Sequence, residues 1–180
     1  MKKAYVFDLF NTLAWHNRQE ALEEPFRKYH EHLLATSLAN SCLSEEERRR
    51  FLGIINDSEI RLYEDSGVVI RRLKEQGYKI GMISNIYEPF AHKIKRELNN
   101  FLNLFDYIYF SCERGMIKPE PAVFEYTLNE LGVKPENSVM IGDDMKRDIT
   151  PARELGMRAI LIDRNTNTIE ELIRNGRRRK

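Results

Sequence analysis

Cysteine is scarce in this sequence, and neither positive nor negative charge is in excess. The 180 residues include two cysteines, Cys42 and Cys112, whose wide separation matches neither a metal site nor a redox motif. Both are predicted to be reduced structural thiols. The 29 basic and 28 acidic residues leave a net charge of +1. This balance gives no electrostatic reason to expect nucleic acid or an anionic membrane as the main partner.

Long apolar runs are missing too. The opening MKKAYVF is basic and then apolar, but Asp8 interrupts it at once, which predicts a first strand and not a signal peptide or a transmembrane span. We therefore expect a cytoplasmic protein with no membrane partner. The length and the hydrophobic content of 42% are typical of one domain, or of one core with a modest insertion, in a monomer or a homodimer.

Short β-rich runs alternate with helical patterns along the chain. Each run is almost continuously apolar, which is typical of strands that are buried on both faces. The pattern favours an α/β fold in which a parallel sheet lies between two layers of helices. The predicted strands are residues 4–8, 79–84, 107–110, 138–142 and 158–163.

Residues 15–62 form an insertion between the first strand and the rest of the sheet, and they contain no convincing strand pattern. We predict that residues 1–14 and 63–180 build a Rossmann-like core and that the insertion is a small α-helical cap over the strand ends. The simpler alternative is a packing insertion with no role at the site.

Two amphipathic helices are predicted within the insertion. A capping box of Ser44 with Glu47 begins the second of them. Spacings of four, three and four residues place the following side chains on one face of the first helix: Leu22, Phe26, Tyr29 and Leu33. The apolar side of the second helix is predicted to contain Phe51, Ile55 and Leu62.

Polar side chains follow three of the predicted strands, namely Asp8, Ser84 with Asn85, and Asp143 with Asp144. In a doubly wound sheet, ligands bind outside the carboxyl ends of the strands, where the chain reverses its winding direction. The sequence therefore predicts a small cleft that holds carboxylates, a hydroxyl and, from the segment MIKPEP, the ammonium of Lys118.

Crowded carboxylates predict a cation in that cleft. Asp8, Asp143 and Asp148 would repel one another where water is scarce, and an all-oxygen site with few protein ligands suits Mg²⁺. Mg²⁺ commonly accompanies phosphate oxygens, whose remaining charge can be held by Lys118, a serine or threonine hydroxyl, and backbone N–H groups. A carboxylate that the metal does not fully occupy can attack phosphorus and form an acyl phosphate that water hydrolyses. Asp8 is the predicted nucleophile.

Four segments, in this order, resemble the motifs of the haloacid dehalogenase-like (HAD) superfamily of hydrolases: FDLFNTL, ISN, Lys118 in IKPEPAVFEYTLNELGVKP, and IGDDMKRD. The resemblance covers about residues 1–14 and 64–165. It implies a parallel sheet of strand order 3-2-1-4-5 and a short version of the helical cap of the first subfamily. It also implies hydrolysis of a small phosphorylated molecule through an aspartyl intermediate on Asp8.

The resemblance implies roles for further residues of these motifs. Ser84 and Lys118 would bind the group that is transferred. Mg²⁺ would be held by Asp8, Asp143 and the backbone carbonyl of Phe10, with Asp144 and Asp148 as additional ligands or supporting groups. Substrate contacts are predicted for the other residues of the first two motifs, which are Phe10, Asn11, Thr12 and Asn85.

Phe10 departs from the pattern of the family's phosphatases. Their aspartate at this position protonates the leaving alkoxide and later deprotonates the attacking water. Phenylalanine cannot carry a proton, and general acid–base help is worth about a hundred- to ten-thousand-fold in rate. Ordinary phosphate esters are therefore expected to react slowly here unless another group substitutes.

Three hypotheses remain open. The first is a Mg²⁺-dependent hydrolase for a small phosphorylated molecule whose leaving group needs little protonation, such as an acyl or aryl phosphate. The second is a metal-independent haloacid dehalogenase in which Asp8 attacks carbon and Arg18 or Arg27 steadies the carboxylate or halide. FDLFNTL resembles the first motif of that branch, but the three carboxylates of GDDMKRD favour magnesium. The third is a non-catalytic protein that binds phosphate-bearing ligands or another protein.

Overall fold

A five-stranded parallel sheet forms the centre of the molecule in a computed structural model that describes residues 2–17 and 26–178. The strands of the described residues are β1 (Ala4–Phe7), β2 (Ala14–His16), β3 (Ile60–Leu62), β4 (Lys79–Ser84), β5 (Tyr107–Phe110), β6 (Ser138–Gly142) and β7 (Arg158–Leu161). The sheet order is β5-β4-β1-β6-β7, with every neighbouring pair parallel. The predicted order 3-2-1-4-5 is confirmed.

Helices cover both faces of this sheet. In chain order they are α1 (His30–Leu34), α2 (Glu45–Asn56), α3 (Ser66–Glu75), α4 (Glu88–Glu97), α5 (Asn99–Leu102), α6 (Ser111–Arg114), α7 (Pro121–Leu131), α8 (Thr150–Glu154) and α9 (Ile169–Arg178). Short 3-10 turns lie at Arg27–Tyr29, Leu38–Asn40 and Pro135–Asn137, and a π-helical turn lies at Met145–Ile149. No helix in the described residues has the length and apolar character needed to cross a membrane.

Side chains of β1 alternate between two hydrophobic cores, one on each face of the sheet. Tyr5 and Phe7 join the core that contains the apolar side of α3 and α4. Val6 points the other way, into the core beneath α7. Since both faces of a strand in this position are buried, its sequence has to be continuously apolar, as predicted.

The insertion contains strands that the sequence analysis did not predict. β2 and β3 pair antiparallel, with Ala14 opposite Leu62 and His16 opposite Ile60. The prediction of no strand was therefore wrong, and Leu62 lies on a strand instead of the second helix. Three-residue strands are too short to show an alternating pattern, and the partner of each segment is remote in sequence.

The second predicted helix of the insertion is present as α2, which ends at Asn56, and the first is present only in part. Ser44 Oγ accepts from the Glu47 backbone N–H, and the Glu47 carboxylate accepts from the Ser44 N–H, so the capping box begins α2. In the first predicted helix, Phe26 and Leu33 are buried, and a 3-10 turn at Arg27–Tyr29 leads into α1. Leu22 and Arg18 lie outside the described residues.

The insertion contacts the core along α4. Nδ1 of His30 lies 2.5 Å from the Tyr87 hydroxyl, and the Leu38 N–H donates to the Glu88 carboxylate at 2.7 Å. Farther along α4, the Lys93 ammonium donates to the Asn56 carbonyl at 2.9 Å. These contacts bring the first part of the insertion beside the carboxyl end of β4. Its action as a lid, and the division at residues 15–62, stay predictions.

Candidate active site

Lys118 joins two carboxylates that are remote from it in sequence. Its Nζ donates to Oδ1 of Asp8 at 2.5 Å and to Oδ1 of Asp148 at 2.7 Å. All three side chains are buried, with 3%, 7% and 1% of Lys118, Asp8 and Asp148 exposed. Asp8 directly follows β1, and its N–H continues the sheet ladder by donating to the Ile141 carbonyl of β6. The predicted convergence of the strand ends is therefore present.

Asn85 positions the loop that carries Lys118. Its side-chain amide donates to the Lys118 carbonyl at 2.9 Å, and its side-chain oxygen accepts from the Lys118 N–H at 2.8 Å. This reciprocal pair ties the end of β4 to the segment that precedes α7, so the ammonium is held against Asp8. Asn85 also lines the cleft, and its predicted contact with a substrate stays a prediction.

The π-helical turn after β6 aims Asp148 at Lys118. Asp144 builds this turn, because its Oδ1 accepts from the backbone N–H groups of Lys146 at 2.7 Å and Arg147 at 2.9 Å. The Asp144 N–H in turn donates to Oδ2 of Asp148 at 3.1 Å. Asp144 thus has a clear structural task, and its role as a metal ligand stays a prediction.

The electrostatics of the cluster are dominated by carboxylates. Burial raises the pKa of Asp8 to about 7; the Lys118 ammonium opposes this rise, whereas the charges of Asp148 and Asp143 add to it. Burial lowers the pKa of Lys118, but Asp148 and Asp8 outweigh burial and hold it above its ordinary value. The pKa of Asp143 is also raised, by burial and by Asp148. Three carboxylates therefore share one ammonium.

The donor set fits a hard divalent cation. Asp8, Asp143 and Asp148 each offer one oxygen, and these three atoms lie within 4.8 Å of one another. Oxygen ligands of this kind are those that Mg²⁺ prefers. A cation there would offset the surplus negative charge that raises the pKa of Asp8. Coordination by the Phe10 carbonyl stays a prediction.

Comparison with known proteins agrees with this geometry. Residues 2–156 match the haloacid dehalogenase-like hydrolase family. The chain belongs to this family. A glyceraldehyde 3-phosphate phosphatase from Methanothermobacter thermautotrophicus is 35% identical over 106 residues, which are 58% of this chain and 46% of that protein. The chain thus spans about half the length of that relative.

Solved structures of HAD proteins share the fold over nearly the whole chain. A HAD phosphatase from Thermococcus onnurineus has a TM-score of 0.63 and 28% identity, and the match covers 96% of this chain and 91% of that one. A HAD family enzyme from Bacteroides thetaiotaomicron, in complex with magnesium and inorganic phosphate, has a TM-score of 0.72 and 18% identity over 95% and 99% of the two chains. The second likeness shows the fold alone.

Phe10, where HAD phosphatases carry their acid, belongs to a group of three rings. Its ring centroid lies 4.7 Å from that of His16 and 5.7 Å from that of Phe90, and the rings of His16 and Phe90 are 4.9 Å apart. All three residues line the same cleft as Asp8. The wall of the cleft beside Asp8 is therefore aromatic.

The polar residues that flank Phe10 differ in their access to the cleft. Asn11 is exposed and adopts a φ of 55°, and its side chain hydrogen-bonds to Asp143, which opposes the rise in the pKa of that carboxyl. Thr12 is fully buried, and its hydroxyl has no hydrogen-bond partner among the described residues. Asn11 lies on the wall of the cleft, as does the buried Ser84, whereas Thr12 does not. Their predicted substrate contacts stay predictions.

The cleft has a volume of about 660 Å³, which is within the range of pockets for small molecules. Its lining combines the Asp8 cluster with residues of the insertion, namely Arg27, Lys28, His30, Glu31, His32 and Leu34. Arg27 is one of the two arginines predicted to steady an anion, and the other, Arg18, lies outside the described residues. Arg147 is on the core side, and the sequence analysis missed it, although its place inside IGDDMKRD was a usable signal.

Proposed function

We propose that this chain is a Mg²⁺-dependent phosphatase that acts on a small phosphorylated molecule through the nucleophile Asp8. The observation that carries the proposal is the buried cluster in which Lys118 bonds to both Asp8 and Asp148 while Asp143 completes a three-oxygen group. The similarity to proteins named as phosphatases supports the same chemistry.

In the proposed first step, an Asp8 oxygen attacks phosphorus in line, and the bond from phosphorus to the leaving oxygen breaks. Lys118 keeps Asp8 oriented and offers positive charge to the phosphoryl oxygens. The Ser84 hydroxyl, which lines the cleft at the end of β4, would donate to the same group. Asp8, Asp143 and Asp148 would hold Mg²⁺, which when bound supplies positive charge that stabilises the phosphoryl oxygens.

In the second step, water attacks phosphorus and the bond between phosphorus and the Asp8 oxygen breaks. The carboxylate is restored, and both protons of the water leave with the product as dihydrogen phosphate. Phe10 cannot protonate the leaving oxygen of the first step. We therefore propose acyl or aryl phosphates as the preferred substrates, because their leaving groups are stable as anions. The cytoplasmic location and the monomeric or homodimeric state stay predictions.

A metal-independent haloacid dehalogenase is the second candidate, and the aromatic residue at position 10 favours it. Chloride leaves as an anion and needs no acid, so Phe10 would be no handicap, and Arg27 on the wall of the cleft would hold the substrate carboxylate. The group of three carboxylates opposes this candidate, since burial raises the pKa of Asp8 to about 7 and the charges of Asp148 and Asp143 add to that rise unless a cation offsets them.

Release assays separate the candidates. Phosphate is measured with para-nitrophenyl phosphate and acetyl phosphate, and chloride with 2-chloropropionate, each with Mg²⁺ and with a chelator. Phosphate release that needs Mg²⁺ and disappears in Asp8→Asn, but persists in the exposed control Asp57→Asn, supports the phosphatase. Chloride release that a chelator leaves intact supports the dehalogenase. Inactivity toward all three compounds would favour a non-catalytic binding protein.

A further inference from the structure

Arg147 is a half-buried cation on the wall of the cleft. Its backbone N–H donates to Oδ1 of Asp144, but its guanidinium makes no hydrogen bond or ion pair within residues 2–17 and 26–178. Lys118, the other cation on the core side, already bonds to two carboxylates. Arg147 is therefore the cation on this side of the cleft whose donors remain available to a ligand.

A partly buried guanidinium without an anion is energetically unusual. Withdrawing its donors from water costs free energy that a partner normally offsets. Lys146, the preceding cation, is exposed and stays hydrated. Arg147 instead lines the cleft, and no described residue accepts a hydrogen bond from the five N–H donors of its guanidinium. Its partner is therefore expected to enter with the substrate.

Arg147 is not paired with the carboxylates of the Asp8 cluster. Among the described residues it forms no ion pair with Asp8, Asp143 or Asp148. The transferred phosphoryl group is proposed to lie against Asp8, where Lys118 already supplies positive charge. We therefore expect a substrate group that reaches Arg147 to be a different part of the molecule.

Two further cations of the cleft come from the insertion. Arg27 and Lys28 line the cleft, and the Lys28 ammonium lies 4.5 Å from the centre of the Tyr29 ring. Glu31, a carboxylate from the same segment, also lines it. The lining thus includes cations from two separate elements, which favours an anionic group of the ligand.

We propose that the small phosphorylated substrate carries a second anionic group besides the phosphoryl group that is transferred, and that Arg147 binds this second group. The inference rests on the proposed phosphatase function and names the substrate class for the same site. Carboxylate and phosphate both match the planar fork of an arginine, which can bind either through two parallel hydrogen bonds.

Equilibrium binding tests the inference without turnover. In an Asp8→Asn background with Mg²⁺, calorimetry compares two matched pairs: 3-phosphoglycerate with glycerol 3-phosphate, and fructose 1,6-bisphosphate with fructose 6-phosphate. The member with the second anion is expected to bind about tenfold more tightly or better in at least one pair, the gain of one charge-assisted contact. The pair that shows the preference identifies the second group as carboxylate or phosphate.

Arg147→Gln is expected to bring that preference down to about twofold or less. Arg147→Lys, which keeps the charge but loses the fork, should retain part of it. Lys146→Gln removes the same charge from the neighbouring exposed position and is expected to keep the full preference. The melting temperature of each variant confirms that it is folded.

Equal binding within both pairs would overturn the inference, and so would absence of binding. A uniform loss for both members of a pair in Arg147→Gln would also overturn it, because Arg147 would then hold the transferred phosphoryl group. The proposed function fails separately, if the wild-type chain releases no phosphate from para-nitrophenyl phosphate or acetyl phosphate. Preference in binding and absence of hydrolysis are therefore distinguishable results.

Discussion

Gly142 and Asp148 are packed so closely that a Cβ atom on Gly142 would lie 2.3 Å from Oδ2 of Asp148. The close approach lets the turn after β6 fold back over the strand end and place Oδ1 of Asp148 at 2.7 Å from the Lys118 ammonium. A glycine is needed here for space, because any side chain would occupy the position of the carboxylate. The geometry of the cluster therefore depends on the absence of a Cβ atom at position 142.

Gly142→Ala is expected to displace Asp148 and to lower phosphatase activity by about a hundredfold, since a displacement near 1 Å can have that effect. Overpacking should also lower the free energy of unfolding by about 1–3 kcal/mol. Phosphate release and urea unfolding measure the two effects. Gly53→Ala is the matched control, because nothing lies within 4 Å of its new Cβ. Wild-type activity in Gly142→Ala would show that Asp148 is not needed in this position.

Lys118→Met should destabilise the protein in a way that Mg²⁺ partly reverses. Removing the ammonium leaves the buried carboxylates of Asp8 and Asp148 unpaired, which costs about 3–5 kcal/mol. A divalent cation would then replace part of the positive charge that Lys118 supplied. Urea unfolding with Mg²⁺ and with a chelator measures the resulting difference in the free energy of unfolding.

Lys93→Met is the matched control for that experiment. Lys93 is also buried, with 6% exposed, but it donates to the Asn56 carbonyl, away from the cleft. Its loss should destabilise the chain equally with and without Mg²⁺. The same magnesium response in both variants would argue against a metal at the Asp8 cluster.

Phe10→Asp is expected to raise the hydrolysis of alkyl phosphates relative to aryl phosphates. An acid at this position can protonate an alkoxide, and such help is worth about a hundredfold or more in rate. The ratio of kcat/KM for glycerol 3-phosphate and para-nitrophenyl phosphate measures the change. Phe10→Leu also removes the ring contacts with His16 and Phe90 but adds no acid, so it should leave the ratio unchanged. Equal ratios in both variants would mean that position 10 does not face the leaving group.

Asp65 should make the free energy of unfolding decrease when the pH becomes acidic. Burial opposes its ionisation, but the Arg164 guanidinium and the Ile169 N–H outweigh burial and hold the pKa of Asp65 below its ordinary value. The contribution is therefore complete above the unfolded pKa of about 3.9 and is lost as pH falls through the lower folded pKa.

Unfolding in urea at a series of pH values measures this contribution. The stability difference between wild type and Asp65→Asn should be largest near neutral pH and should shrink below about pH 4. Arg164→Gln, which removes the partner at 2.5 Å, is expected to behave in the same way. A stability difference that stays constant across the pH series would contradict the lowered pKa of Asp65.

Much of the core could be predicted because its signals are local. The apolar runs of β1, β4 and β6 report burial on both faces, and the rule that parallel strands end at one edge then brings Asp8, Ser84 and Asp143 together. The Ser44 capping box is equally local, since both of its hydrogen bonds lie within one turn. None of these inferences needs to know how remote side chains pack.

Other features depend on contacts between remote segments. The pairing of β2 with β3 joins residues that lie more than forty positions apart, and neither strand is long enough to show a pattern. Asn85 hydrogen-bonds to Lys118 across a separation of 33 residues. Nothing in the residue types distinguishes such an amide from one that faces a substrate.

The chain alone therefore specifies the buried strands and the oxygen-rich cluster around Asp8, because residue type and spacing carry that information, and its resemblance to the HAD family adds the strand order and the departure at Phe10. The fold adds the directions of the side chains. It turns Asp144 into the builder of a turn, gathers Phe10, His16 and Phe90 into one wall, and leaves the Arg147 guanidinium on the cleft without a partner among the described residues. Direction is decided by packing in three dimensions, where each side chain takes the space and the partners that remote segments leave to it.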